Sequence, residues 1–186
     1  SLQSGCDSVL KRMNRHYTTE DYLRRCEILR KYFKRPAITT DVIVGFPGET
    51  EEEFDITEKY LEKVHFYEMH VFKYSRRAGT KAAAMPDQIP EEVKEERRDE
   101  IMELQQEISY DKGTDRIGQE LLVMIEGKVA DESAYIGRTY GDAPKVDGYI
   151  FVQTGELLMT GDFAKVRVTG ALEYDLIGEL ADEYTE

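Results

Sequence analysis

The sequence predicts an α/β part followed by an all-β part: a β/α segment with a long helix over residues 1–112, then a small five-stranded antiparallel β-barrel over residues 114–181. Two observations predict this order. In the first part, segments with apolar residues at helical spacing alternate with β-branched apolar runs. In the second part, five short strand-like runs are separated by Gly, Asp and Pro, with no helical period between them. A chain of 186 residues can hold two small hydrophobic cores.

The first long helix is predicted over "YTTEDYLRRCEILRKYF", where Thr18 or Thr19 can cap the N-terminus and Pro36 lies beyond the end. Its apolar stripe consists of Tyr22, Cys26, Leu29 and Phe33. The run "AITTDVIV" follows, and its β-branched apolar composition predicts a strand buried on both faces, as in a parallel sheet.

The run "GFPGETEEEF" predicts a sharp turn into another helix, with Thr50 and Glu53 forming a capping box. The apolar stripe of that helix consists of Phe54, Thr57, Leu61 and Val64. A second strand is predicted in "FYEMHVFKYS", and a linker helix over residues 91–112, acidic in its first turns, with Gly113 placed to end it.

The five strands of the second part are predicted in "ELLVMIEGKV", "AYIGRTY", "GYIFVQT", "FAKVRVTGA" and "YDLIGEL". The first part has only about two complete βα units, and parallel strands need neighbouring strands and covered faces. We therefore expect Ser1 to mark a cut in a larger protein. The missing strands would come from an N-terminal half or from a second copy in a swapped homodimer.

The negative charge is concentrated towards the end of the chain. The net charge is -13, with 19 Lys/Arg against 24 Asp/Glu in residues 1–115 and 6 against 14 in residues 116–186. An acidic module binds nucleic-acid phosphates poorly and is better suited to a basic protein partner, although acidity also simply keeps a surface solvated. No apolar run is long enough for a membrane span and no signal peptide is present, which favours a cytoplasmic protein.

Polar side chains and glycines follow each predicted strand end. In β/α sheets, ligands bind where the carboxyl ends of strands meet the following turns. Three such places occur, at residues 3–5, 45–49 and 74–80. Their glycines permit close approach of a ligand, although a glycine before a helix is often only a turn.

Other kinds of site have no support in the sequence. Two cysteines, Cys6 and Cys26, are too few for a four-ligand metal site or a disulfide scaffold. The three histidines show no metal or triad spacing, and no nucleotide-phosphate motif occurs. No catalytic residue and no metal ligand is therefore assigned. The basic, aromatic-containing run "RRCEILRKYFKR" could touch RNA or could be a solvated helix face.

Several long motifs resemble a known family. They are "LQSGCDSVLKRMNRHYT", "TTDVIVGFPGETEEEF", "VFKYSRRAGTKAAAMPDQIPEEVKEER", "GRTYGDAPKVDGYIFV" and "GALEYDLIGEL". In this order they resemble the C-terminal half of a radical-SAM methylthiotransferase, over nearly the whole chain. The resemblance implies that residues 1–112 are the last strands of a radical-SAM barrel with its linker helix, and that residues 114–181 are a TRAM domain.

The resemblance implies S-adenosylmethionine and two [4Fe-4S] clusters in the intact enzyme, one cluster being held by C-x-x-x-C-x-x-C. This sequence contains neither set of cluster ligands, so we expect no cofactor on the chain alone and no activity from it. Cys6 receives no ligand role. Residues 41–49 fall where many radical-SAM barrels carry G-x-I-x-G-x-x-x-E, with Asp41 in place of the first Gly. The cofactor-binding candidates are Gln3, Ser4, Asp41, Gly45, Glu49 and Ser75.

The two parts of the chain resemble different members of the family. The motifs "QSGCDSVLKRMNR" and "VFKYSRRAGTKAA" resemble members that modify an adenosine beside the tRNA anticodon. The last two motifs resemble members that methylthiolate an aspartate of ribosomal protein S-twelve, and the acidic TRAM domain favours this basic protein as partner. A mixed subfamily, an engineered fusion, a tRNA-modifying fragment and a non-catalytic binding module remain open.

Overall fold

The computed structural model describes residues 1–181. Its helices are α1 (Asp7–Arg12), α2 (Thr19–Tyr32), α3 (Glu51–Val64) and α4 (Glu91–Thr114), with a short 3-10 helix at Ala82–Ala84. Its strands are β1 (Thr39–Val44), β2 (Glu68–Lys73), β3 (Glu120–Lys128), β4 (Ala134–Arg138), β5 (Ile150–Gln153), β6 (Phe163–Ala171) and β7 (Leu176–Leu180). The chain forms two compact units, Ser1–Ile108 and Ser109–Glu186, so the boundary lies inside the predicted linker helix.

The first unit is built on parallel strands. β1 pairs with β2 in parallel, from Thr39 opposite Glu68 to Val44 opposite Lys73. On the other edge of β1, Gln3 forms a parallel bridge with Val42. A third strand position therefore precedes β1, and the order across the sheet is Gln3, β1, β2.

Only one face of this sheet is covered, which corrects the prediction that β1 is buried on both faces. Thr40, Val42 and Val44 are buried, whereas Asp41 and Ile43 are partly exposed. Helices α2, α3 and α4 cover the first face, because their apolar residues form one core with β1 and β2. That core contains Leu2, Cys26, Val42, Val44, Phe54, Leu61, Val64, Phe66, Met69, Ile101 and Ile108.

The predicted helix signals are mostly confirmed. Thr18 caps α2 by accepting a hydrogen bond from the Asp21 N–H, and Thr50 and Glu53 form the capping box of α3. The whole predicted stripe of α3 is buried. The stripe of α2 is only half correct, since Leu29 and Phe33 are 41% and 60% exposed. The spacing of apolar residues shows which face of a helix is buried, but not how far along the helix the covering surface extends.

Gly113 does not end the linker helix, because α4 continues to Thr114. A Cβ at Gly113 would lie 2.9 Å from the Cβ of Ala171. The glycine therefore permits a close approach between the last turn of α4 and β6, within the second unit. The left-handed backbone expected of a helix stop occurs further on, at Gly118, where φ is +84°.

The second unit is a closed five-stranded barrel with strand order β3-β4-β5-β7-β6. It is mixed rather than wholly antiparallel, because β5 and β7 pair in parallel. A closed ring with an odd number of strands cannot alternate direction around its whole circumference, so at least one neighbouring pair must be parallel. Its core consists of Val123, Ile125, Tyr135, Ile150, Val152, Val166, Val168 and Leu176. Within residues 1–181, no helix has the length and apolar character needed to cross a membrane.

Candidate functional site

The predicted ligand-binding turns lie at one edge of the first unit. Parallel strands end at the same edge, and the Tyr74 N–H donates to the Val44 carbonyl at 2.9 Å, so the ends of β1 and β2 are neighbours. Gln3 lies beside β1, with its N–H donating to the Asp41 carbonyl at 2.9 Å. We call this region, made of residues 3–5, 41–49 and 70–75, the strand-end edge.

The turn after β1 is closed by a buried carboxylate. Gly45 has φ +71°, and its N–H donates to Glu49 Oε1 at 2.9 Å. Arg97 Nη1 lies 2.8 Å from the same oxygen and donates also to the Glu49 carbonyl at 3.2 Å. Burial raises the pKa of Glu49, while the Gly45 N–H and the Arg97 guanidinium act to lower it. Glu49 therefore holds the turn rather than pointing into an open site.

A second cation from α4 lies against the same turn. A Cβ at Gly45 would lie 2.3 Å from Lys94 Cγ, so only glycine leaves room for the Lys94 stem. Lys94 Nζ donates to the Tyr74 carbonyl at 3.1 Å and lies 5.6 Å from the centre of the Tyr74 ring. The first turns of α4 therefore contact the ends of both β1 and β2.

Ser4 is also turned towards the interior. It is buried, its Oγ accepts a hydrogen bond from the Cys6 N–H at 3.2 Å, and it exchanges a hydrogen bond with Thr57 Oγ1 at 3.2 Å. A Cβ at the next residue, Gly5, would lie 2.8 Å from the Cβ of Tyr60. Ser4 and Gly5 thus pack the strand-end turn closely onto α3.

Asp41 lies on the uncovered face of the sheet. Its carboxylate accepts a hydrogen bond from Ser1 Oγ, and its Oδ1 lies 3.4 Å from His70 Nδ1, the residue opposite it on β2. The next pair on this face, towards the carboxyl ends, is Ile43 and Phe72, and Phe72 is 54% exposed. A polar pair followed by an apolar pair is thus accessible at the strand-end edge.

The six cofactor-binding candidates therefore separate into two groups. Ser4, Gly45 and Glu49 serve internal contacts that fix the turns. Asp41 is on the uncovered face, Ser75 is exposed just after β2, and Gln3 is largely buried with a left-handed backbone (φ 74°). The structure brings all three segments to one edge, where Asp41 and Ser75 are accessible and the other four candidates are buried.

The uncovered face suits part of an adenosyl ligand. A purine ring is stabilised by apolar side chains such as Ile43 and Phe72, and its polar groups by an acceptor such as the Asp41 carboxylate. An iron–sulfur cluster needs thiolates, and Cys6 and Cys26 are both buried. Burial raises the pKa of the Cys26 thiol. Among residues 1–181, no three His, Cys, Asp or Glu side chains are grouped so that they could hold a metal ion.

Sequence reasoning missed Lys94 and Arg97. Both are buried cations on α4, three residues apart, in a helix expected to be a linker. The available signal was weak: a carboxylate in the turn after a buried strand needs a cation nearby if it is itself buried. Nothing in the spacing identified a partner 48 residues further along the chain.

The barrel of the second unit carries exposed apolar side chains on its outer surface. Leu122 is 59% exposed and Phe163 is 67% exposed. They lie on adjacent strands, since Leu122 is opposite Lys165 and Met124 is opposite Phe163. We call Leu122, Met124 and Phe163 the outer apolar patch.

Both arginines of the barrel form ion pairs with acidic residues of the barrel. Arg167 pairs with Glu120 at 3.1 Å, and Arg138 pairs with Glu126 at 2.8 Å. Residues 117–181 carry 5 Lys/Arg and 11 Asp/Glu. Since two of the five cations are already matched to acids of the barrel, the remaining surface is dominated by negative charge.

Comparisons with known proteins match both units. Residues 1–61 match the radical SAM superfamily, and residues 117–181 match the TRAM domain. The chain is 46% identical over 177 residues to a ribosomal protein uS12 methylthiotransferase RimO of Lachnoclostridium phytofermentans, covering 95% of this chain and 40% of that protein. Proteins of the same name from Caldanaerobacter subterraneus and Clostridium botulinum are each 44% identical, over 96% and 100% of the chain and 40% and 41% of the relatives.

The chain thus spans about two fifths of the length of these relatives. Each match runs through both units rather than through one of them, since it covers 95% or more of the chain. The predicted partial radical-SAM barrel and the predicted TRAM barrel are both confirmed. A radical SAM segment followed by a TRAM domain, with these relatives along nearly its whole length, shows that the chain belongs to the radical-SAM methylthiotransferase family.

Proposed function

We propose that the chain is part of a cytoplasmic methylthiotransferase that modifies an aspartate of ribosomal protein uS12, and that its TRAM barrel binds the protein substrate. The observation that carries this proposal is the charge of the barrel, with 11 acidic against 5 basic residues in residues 117–181. Such a surface attracts a basic ribosomal protein and repels the phosphates of tRNA. The name shared by the relatives supports the same substrate.

In this proposal the strand-end edge forms part of the cofactor site. S-adenosylmethionine, reduced through an iron–sulfur cluster, supplies the radical chemistry and the methyl group when bound. The protein's own residues bind and orient it: Asp41 accepts hydrogen bonds, Ile43 and Phe72 exclude water from the ring, and Glu49 keeps the neighbouring turn in place. The cluster ligands and the remaining barrel strands would come from residues other than 1–186, so we propose that this chain alone is inactive.

Substrate binding is tested by calorimetry of the chain with isolated uS12, at low and at raised salt. We expect binding at low salt that weakens as salt rises, because the attraction is between opposite charges. A variant with Glu120→Gln and Glu126→Gln should bind more weakly, while Glu62→Gln, on α3 of the first unit, serves as the matched control.

A tRNA anticodon stem-loop, titrated under the same conditions, separates the two candidate substrates. Binding of the stem-loop with no detectable binding of uS12 would overturn the proposal in favour of the tRNA-modifying branch. Reconstitution of the chain with iron and sulfide tests the proposed inactivity, because a stoichiometric [4Fe-4S] absorption spectrum would contradict it.

A further inference from the structure

We infer that Arg97 and Lys94 of α4 are positioning residues for S-adenosylmethionine binding, acting through the Glu49 carboxylate and the end of β2. This inference rests on the proposed function, because it assumes that the cofactor binds at the strand-end edge. It goes beyond that proposal by assigning the helix that follows the sheet a part in cofactor affinity.

Four contacts hold the Arg97 guanidinium. Its guanidinium donates to Glu49 Oε1 at 2.8 Å, to the Glu49 carbonyl at 3.2 Å and to Glu51 Oε2 at 3.0 Å, and its Cζ lies 5.2 Å from the centre of the Phe54 ring. The side chains of Arg97 and Glu49 are 6% and 3% exposed. This geometry leaves the guanidinium one orientation, in which it spans the turn and the first turn of α3.

A buried ion pair of this kind stabilises a fold little more than well-packed apolar residues would, since both charges lose their hydration. Its specific effect is on orientation. With Arg97 in place, the Glu49 carboxylate faces the Gly45 N–H and accepts a hydrogen bond from it at 2.9 Å. The backbone of residues 45–49, with its left-handed Gly45, is therefore fixed by a side chain from α4.

Lys94 lies one turn before Arg97 on the same side of the helix and fixes the neighbouring strand end. Its stem fills the space beside Gly45, and its Nζ donates to the Tyr74 carbonyl, directly after β2. Tyr74 in turn packs edge-to-face on Phe46, with 5.3 Å between the ring centres. The two cations therefore hold the turn after β1 and the residue after β2, next to the strand positions of Ile43 and Phe72.

The experiment measures S-adenosylmethionine affinity by calorimetry in the complete, cluster-loaded protein that contains this chain. The main variant is the neutral pair Arg97→Met with Glu49→Gln, which removes both buried charges together. We expect about tenfold weaker binding, since a binding site must be held within a fraction of an ångström of its productive geometry by the residues that support it. Lys94→Met should also weaken binding. Arg97→Lys keeps the charge but loses the forked contacts, so its affinity should lie between that of the neutral pair and that of the unchanged protein.

The matched control is Arg98→Met, on the same helix, since the Arg98 side chain is 37% exposed and pairs with the adjacent Asp99. Thermal unfolding of each variant separates affinity from stability. A folded neutral pair that binds S-adenosylmethionine as tightly as the unchanged protein would overturn the inference. If that pair fails to fold, a folded Arg97→Lys variant with unchanged affinity would overturn the inference instead. Absence of binding by the unchanged protein would instead overturn the proposed cofactor site.

Discussion

Arg12 and Glu53 join α1 to α3 through a forked ion pair, in which Nη1 donates to Oε1 at 2.9 Å and Nη2 donates to Oε2. The same carboxylate accepts hydrogen bonds from Ser8 Oγ and from the Thr50 N–H, the latter at 3.1 Å. Glu53 thus completes the capping box and ties the helix after Gln3 to the helix after β1. The hydrogen bonds from Arg12 are the largest cause that lowers the pKa of Glu53 to about 2.

This lowered pKa predicts a pH dependence of stability. The pKa of Glu53 falls from its ordinary value of 4.5 to about 2 on folding. The ionised carboxylate therefore stabilises the fold above pH 4.5, and that contribution is lost as the pH falls through about 2. Glu53→Gln should lower the free energy of unfolding by about 1 kcal/mol at neutral pH, the scale of a partly exposed ion pair.

Urea unfolding at neutral pH and at several values between pH 4.5 and 2 measures this effect. Glu62→Gln, at an exposed position of the same helix, is the control. The Glu53→Gln protein should lose less stability than the unchanged protein on acidification. Parallel stability curves for the two would show that Glu53 is not the titrating group.

The barrel provides a prediction about packing. A Cβ at Gly178 would lie 2.5 Å from Val166 Cγ1 and 2.8 Å from the Arg167 carbonyl oxygen, and a Cβ at Gly137 would lie 2.4 Å from Val123 Cγ1. Gly137→Ala and Gly178→Ala should therefore each cost about 1–3 kcal/mol, as overpacking does elsewhere. At Gly127 no heavy atom lies within 4 Å of the added Cβ, so Gly127→Ala is the matched control.

Chemical denaturation of the whole chain tests this pair of predictions. The transition in which the barrel unfolds should move to lower denaturant concentration for Gly137→Ala and Gly178→Ala and should not move for Gly127→Ala. A loss at Gly127 equal to that at Gly178 would indicate a general intolerance of alanine in these strands rather than local overpacking.

Local patterns in the sequence predicted the helices and strands. They failed to predict features that depend on residues far apart in the chain, such as strand pairing and burial. The capping box at Thr50 and Glu53 was predictable because both residues belong to one helix start. The five barrel strands were predictable from turn residues, but closure of the ring requires at least one parallel pair, and the strand order makes it β5 with β7. The stripe of α2 was overestimated because Leu29 and Phe33 extend past the surface that covers them.

The candidate site shows the same division. Sequence pattern indicated that residues 3–5, 45–49 and 74–80 share one edge, since parallel strands end together. The pattern could not show that the Glu49 carboxylate is buried against Arg97 whereas the Asp41 carboxylate is accessible on the uncovered face. That difference depends on which face of the sheet the helices cover, and on a contact between residues 48 apart.

The two thiols provide a third prediction. Cys6 and Cys26 are 5% and 3% exposed, and Cys6 Sγ lies 3.1 Å from Ser8 Oγ. Neither should react with a water-soluble disulfide reagent such as Ellman's reagent in the folded chain, and both should react in urea, because reaction needs an accessible thiolate. Cys6→Ser and Cys26→Ser assign the reactions. Rapid reaction of one thiol in the folded chain would show that it is accessible and reopen its role.

The outer apolar patch provides a prediction about substrate binding. Leu122 on β3 and Phe163 on β6 are exposed. Two ion pairs lie on these strands and the adjacent β4, namely Glu120–Arg167 between β3 and β6 and Glu126–Arg138 between β3 and β4. An apolar centre with a charged surround is the usual arrangement of a protein-binding surface. If the barrel binds uS12 there, Leu122→Ser and Phe163→Ser should each weaken binding about fivefold or more, with no loss of stability because neither side chain is buried.

Calorimetry with uS12, together with thermal unfolding, checks this last prediction. Val146→Ser is the matched control, since Val146 is also exposed but lies in the connection between β4 and β5. A basic substrate attracted only by net charge would be insensitive to either apolar change and would respond equally to the removal of any acidic residue. Unchanged affinity in both variants, with a salt dependence still present, would therefore place the binding surface elsewhere on the barrel.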